Sequence, residues 1–106
     1  MGILDIFKNN TTKNTALQGI INDKDTFLVD VRSKGEFSTG SARGSSNIPL
    51  TEINARINRF KGKSNIVVFC RSGNRSGQAK AILEQNGIRN VHNGGTWKQV
   101  DQLIEK

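Results

Sequence analysis

At 106 residues the chain is long enough for one hydrophobic core and too short for two, so a single domain is expected. Its 34% hydrophobic and 24% charged residues exclude a disordered chain, and no segment reaches the roughly 20 apolar residues of a membrane-spanning helix. A single cysteine excludes an internal disulfide and fits a reducing, cytoplasmic setting, while the net charge of +7, carried by scattered basic residues without any aromatic-interleaved stripe, points to a positive field for small anions and away from nucleic acid.

In chain order, "MGILDIFKNN" has no charged leader and no small-residue cleavage site, and Ile6 stands where a myristoylation signal wants Ser or Thr. Residues 1–14 therefore read as a short amphipathic arm with no membrane partner, set off by the polar "KNNTTKN" from a domain over 15–106. "NTALQGIIND" places Leu17, Ile20 and Ile21 at helical spacing. "TFLVDV" (26–31) and "NIVVFC" (65–70) are apolar runs that do not alternate, as in strands of a parallel sheet covered on both faces. Between them, Ser33 and Glu36 stand at capping-box spacing ahead of a short helix that Gly40 ends. "SNIPL" is a weak strand limited by the only proline, and "TEINARINRF" puts Ile53, Ile57 and Phe60 on one helical face. Ala79, Ile82 and Leu83 share a face of a later helix stopped by Gly87; "NVHN" is another weak strand, and "TWKQVDQLIEK" a last helix. Strands alternating with helices predict an α/β domain with a mostly parallel sheet.

The only cysteine ends the best strand, in "VVFCRSGNRSGQAKAILEQNG". In a parallel sheet, ligands bind beyond the carboxyl ends of the strands, where loops lead into helix N-termini with outward-pointing amides. The loop Arg71-Ser72-Gly73-Asn74-Arg75-Ser76 must turn sharply into a helix; Gly73 and Asn74 accept the left-handed backbone such a turn needs, and Ser76 or Asn74 is the candidate cap. Successive amides in that geometry make a nest for an anion. A free cysteine of pKa about 8.5 is roughly 3% thiolate at neutral pH; lowering it by about two units, roughly 2.7 kcal/mol, raises that to about three quarters. Cys70 is thus the candidate nucleophile, with the loop amides, Arg71 and Arg75 as its anion cradle.

Phosphatases use such a cradle with five residues between Cys and Arg. Here four separate Cys70 from Arg75, a tighter ring suited to a single sulfur. The segments "LVDVRSKGEFSTG", "SSNIPL", "VVFCRSGNRS" and "NVHNGGTWKQV", in that order from about residue 16 onward, are similar to those of single-domain rhodaneses. The resemblance implies a five-stranded parallel sheet flanked by helices and a sulfurtransferase. Such an enzyme moves a sulfane sulfur from a small anionic donor (thiosulfate or a low-molecular-weight persulfide), through a Cys70 persulfide, to a thiol or cyanide. One departure is Ser41-Ala42, where the family usually has His-Ile. The alternative is a persulfide carrier or interaction module whose basic surface docks an acidic protein partner.

Other residues have blander readings. Asp30 and Arg32 resemble a structural pair supporting the site, Glu36 reads as a cap, Trp97 as core, and His92 as no general base, since rhodanese-like transfer requires none. One Cys and one His make no metal constellation, and no cofactor is expected.

Overall fold

The computed structural model describes residues 15–105; the expected arm over 1–14 lies outside them. Residues 15–21 form helix α1. Strand β1 (Thr26–Asp30), helix α2 (Lys34–Ser38) and the two-residue strand β2 (Ser46–Asn47) follow. After two 3-10 segments come β3 (Asn65–Cys70), α3 (Asn74–Gln85), β4 (Val91–Thr96) and α4 (Trp97–Leu103). The strands form one parallel sheet in the order β2-β1-β3-β4. The described residues hold four strands where the resemblance implied five, and none of the four precedes Thr26, a stretch with no strand signal of its own.

Strand β3 explains why the central runs do not alternate. Its side chains still point to opposite faces in turn, but both faces are covered. Ile66, Val68 and Cys70 join a core with Ala79 and Leu83 of α3 and with Ile53 and Phe60. Val67 and Phe69 join a second core with Ile21 and Val100, flanked by Leu17, Trp97 and Leu103. The sheet therefore has α3 and the 3-10 segments on one side and α1 and α4 on the other, and Cys70 faces α3.

Local chemistry sets the element ends. Ser33 and Glu36 form the expected capping box of α2, and Thr96 and Gln99 form a second one that opens α4. Helix α3 ends in a Schellman arrangement, with the Ile88 amide donating to the Leu83 carbonyl and the Gly87 amide to that of Glu84.

The helix expected over "TEINARINRF" is instead a pair of 3-10 segments, Leu50–Glu52 and Asn54–Phe60, the second broken at Arg56 (φ −116°, ψ 25°). Three-residue turns bring Ile57 and Phe60 to one face. The break at Arg56 absorbs the four-residue step from Ile53, so that all three reach the same core.

Candidate active site

The register places Asp30 opposite Phe69 and Cys70 opposite Thr96, so the carboxyl ends of β1, β3 and β4 meet at one edge. Cys70 ends β3 and is 1% exposed. The chain then turns through Gly73, whose φ of +94° is the left-handed conformation that favours glycine. Gly73 is itself the N-cap of α3. Asn74 is the first helical residue, and neither it nor Ser76 caps the helix by its side chain. A backbone already turned inward by Gly73 aims its amides at the sulfur: the Gly73 N–H donates to Cys70 Sγ at 3.0 Å, and Ser76 Oγ lies 3.5 Å from it.

Burial pushes the Cys70 thiol up. The Ser76 hydroxyl and the amides of Ser76, Ser72 and Gly73 together outweigh that push, so the net shift is downward from the ordinary cysteine value. These are the interactions that favour a thiolate.

The two arginines of the loop divide. Arg71 is exposed and lines an open cleft of about 430 Å³ with Arg32, Glu36, Thr96, Trp97 and Lys98. Arg75 instead makes a two-pronged bond to Glu36, Nη1 to Oε1 at 2.7 Å and Nη2 to Oε2 at 2.9 Å. These bonds hold the Glu36 carboxyl down, from 4.5 to about 2. Both ends of the Arg75 guanidinium are thus taken up by Glu36, and no hydrogen bond joins it to the Cys70 sulfur. Glu36, read from sequence as a cap, is both cap and ion-pair partner.

Asp30 and Arg32 form a buried knot. Arg32 Nε donates to both Asp30 oxygens at 3.0 and 2.9 Å, and Nη2 reaches Oδ2 at 2.6 Å and the Gly40 carbonyl at 2.6 Å. Ser41 Oγ donates to Asp30 Oδ2 at 2.6 Å, so the residue that departs from the family pattern supplies a partner for this carboxylate. The guanidinium lies 5.1 Å from the Trp97 ring centre, within cation–π reach. Trp97 is thus half-buried beside the core and walls the cleft.

Three contributors had weak or no sequence signals. Asn93 of β4 reaches the cysteine loop, accepting from Ser76 Oγ at 2.7 Å and donating to the Gly73 carbonyl at 3.1 Å. Lys98 and Thr96 complete the cleft. The one available hint was Gly-Gly. The ladder pairs Val68 with Asn93 and Phe69 with Gly95, leaving Gly94 as an extra residue; a Cβ on Gly94 would come within 2.8 Å of Val100 Cγ2 and 2.9 Å of Val67 Cγ1. Such a bulge re-aims neighbouring side chains. His92 bonds Asn65 Oδ1 through Nε2 at 3.0 Å, not the cysteine. Among the described residues no three His, Cys, Asp or Glu side chains gather as metal ligands.

Residues 13–96 match the family model described as the rhodanese-like domain. The chain belongs to that family. It is 36% identical over 74 residues to "Thiosulfate sulfurtransferase PspE" of Escherichia coli, covering 68% of this chain and 71% of that one. It is 35% identical over 66 residues to the uncharacterized protein YqhL of Bacillus subtilis, covering 62% of this chain and about half (52%) of that protein's length. Among solved structures it resembles a rhodanese with anions from E. coli, with a TM-score of 0.64, 36% identity and coverage of 70% and 89% of the two chains. No helix among the described residues of this rhodanese-like domain is long and apolar enough to cross a membrane.

Proposed function

We propose that this rhodanese-like domain is a sulfurtransferase that carries sulfane sulfur as a Cys70 persulfide. One observation carries the reading: a sulfur at the end of a buried strand receives the Gly73 amide at 3.0 Å and has its acidity raised by the surrounding donors. Such a group forms the nucleophilic thiolate more readily than a free cysteine does, in a site suited to negative charge. The relative named a thiosulfate sulfurtransferase supports the same chemistry.

With thiosulfate, the Cys70 thiolate attacks the outer sulfur. A Cys–S bond forms, the donor S–S bond breaks with its electron pair leaving on sulfite, and the enzyme persulfide retains one negative charge. Loop amides of Ser72, Gly73 and Ser76 stabilise that charge, Asn74 opens the helix behind them, Arg75 adds its field, and Arg71 meets the donor from the cleft. Asp30 and Arg32 hold the floor of the site. An acceptor thiolate or cyanide then attacks the outer sulfur, forming a new bond to it and returning the electron pair to Cys70.

Mass spectrometry tests this directly. Incubation with thiosulfate should add one sulfur atom, cyanide should remove it, and Cys70→Ser should show no addition. Failure of thiosulfate and of small organic persulfides to load Cys70, together with rapid hydrolysis of an aryl phosphate, would overturn the reading.

A further inference from the structure

The Ser76 hydroxyl has one proton and two neighbours that want it. It lies 2.7 Å from Asn93 Oδ1 and 3.5 Å from Cys70 Sγ. The orientation of the Asn93 amide is settled by two backbone groups: the Gly95 N–H donates to Oδ1 at 2.9 Å, and Nδ2 donates to the Gly73 carbonyl at 3.1 Å. Turning the amide over would set donor against donor at Gly95 and acceptor against acceptor at Gly73. Oδ1, which can only accept, therefore faces Ser76. In the resting geometry the hydroxyl proton belongs to Asn93, and Ser76 turns a lone pair to the cysteine, an arrangement that suits the thiol S–H.

The Ser76 hydroxyl can stabilise negative sulfur only by turning its proton from Asn93 to Sγ. We propose that Asn93 is a positioning residue for the sulfur chemistry: it competes with Cys70 for the Ser76 hydroxyl proton and so holds the site toward the neutral thiol until charge develops on sulfur. This deepens the reading of Cys70 as the sulfur-carrying nucleophile and rests on it. When the thiol proton leaves to solvent, the hydroxyl rotates about Cβ–Oγ and donates to the thiolate, and Asn93 Oδ1 keeps its bond from Gly95. When an acceptor removes the outer sulfur and Cys70 is reprotonated, the hydroxyl returns to Asn93. No bond between heavy atoms changes in this step.

The charged groups on the elements that meet at this edge are Arg75 of α3 with Glu36 of α2 bound to it, Asp30 at the end of β1 and Arg32 just after it, and Arg71 of the loop. His92, the neighbour of Asn93 in β4, is paired with Asn65. Substitution of Asn93 leaves each of these charges in the chain, so its effect on the thiol comes through the Ser76 hydroxyl or through the tether to the Gly73 carbonyl, and the sign of the effect and the Ser76 background separate the two.

The experiment is the pH dependence of Cys70 alkylation by neutral iodoacetamide, which needs no sulfur donor. Asn93→Leu keeps the size of the side chain and removes both polar ends. Asn93→Ala is the second variant, because Gly77 approaches Asn93 Nδ2 closely enough that a Cβ there would sit 3.5 Å away, and Leu could crowd it; circular dichroism and melting establish that each is folded. Both should lower the Cys70 midpoint by roughly half a unit to one unit, giving about 3- to 10-fold faster alkylation below the midpoint. In a Ser76→Ala background the same substitutions should shift nothing, because the hydroxyl they act through is gone.

A raised midpoint would mean that Asn93 acts by tethering the Gly73 carbonyl, and would overturn the proposal. So would an unchanged midpoint, or an equal fall without Ser76. Absence of a persulfide in the mass experiment, with these shifts intact, would count against sulfur transfer and leave the proton competition standing.

Discussion

Two carboxylate–guanidinium pairs flank Cys70, built from the same kinds of group and placed in opposite surroundings: Arg32 meets its carboxylate side-on through Nε and Nη2, Arg75 end-on through Nη1 and Nη2. In Asp30–Arg32 the side chains are 0% and 5% exposed, and both are bonded to further groups: Ser41, the Arg32 amide and the Gly40 carbonyl. In Glu36–Arg75 they are 34% and 35% exposed. Out of water a charge that loses its partner has nowhere to turn; in water it has the solvent. The first pair is therefore expected to matter most for the integrity of the fold, and the second far less.

The sharpest way to break this contrast is Asp30→Ala, which leaves the Arg32 guanidinium buried without its carboxylate. The expected loss is roughly 3–5 kcal/mol, or a fall in Tm of roughly 12 °C or more for a domain of this size, read by thermal unfolding. A loss below about 1 kcal/mol would put the pair in the class of solvated surface bridges.

Smaller, but on the same knot, is Ser41→Ala. It deletes one short hydrogen bond to Asp30 Oδ2 and leaves the salt bridge, so about 1.5 kcal/mol should go, no more than about half the effect of Asp30→Ala. An unchanged Tm would show that Asp30 is satisfied without the hydroxyl, and that Ser41 does not stand in for the residue the family usually carries.

The two pairs also differ in how far sequence reveals them. Asp30 and Arg32 are two residues apart, and Ser33 and Glu36 three, so their contacts follow from local geometry and were legible as a pair and a capping box. The loop from Cys70 to Ser76 was legible for the same reason, since strand, turn and helix are contiguous. Glu36 and Arg75 are 39 residues apart, and Asn93 meets Ser76 from 17 residues away. The first contact requires the parallel register of β1 and β3 and the second that of β3 and β4, which no local periodicity encodes. The 3-10 segments escaped for a different reason: Ile53, Ile57 and Phe60 fit an α-helical face as well as they fit two tighter turns with a break at Arg56.

The least disruptive probe of the exposed pair is Glu36→Gln. Glutamine at this third helical position can still complete the capping box, so the substitution removes the charge on Arg75's partner and spares the cap. Its effect should appear in acid. The folded-state pKa of Glu36 is lowered from 4.5 to about 2 by Arg75, so the folded protein takes up this proton less readily than the unfolded chain. The stabilisation is therefore complete above about pH 4.5 and is lost as pH falls through about 2. Wild-type stability, followed by urea unfolding, should fall more steeply than that of Glu36→Gln across this window, and the two curves should run parallel at higher pH. Because the pair is a third exposed, added salt should shrink the difference. Identical acid limbs in wild type and variant would mean that Glu36 titrates alike in the folded and unfolded chains, and that the Arg75 bond does not persist in solution.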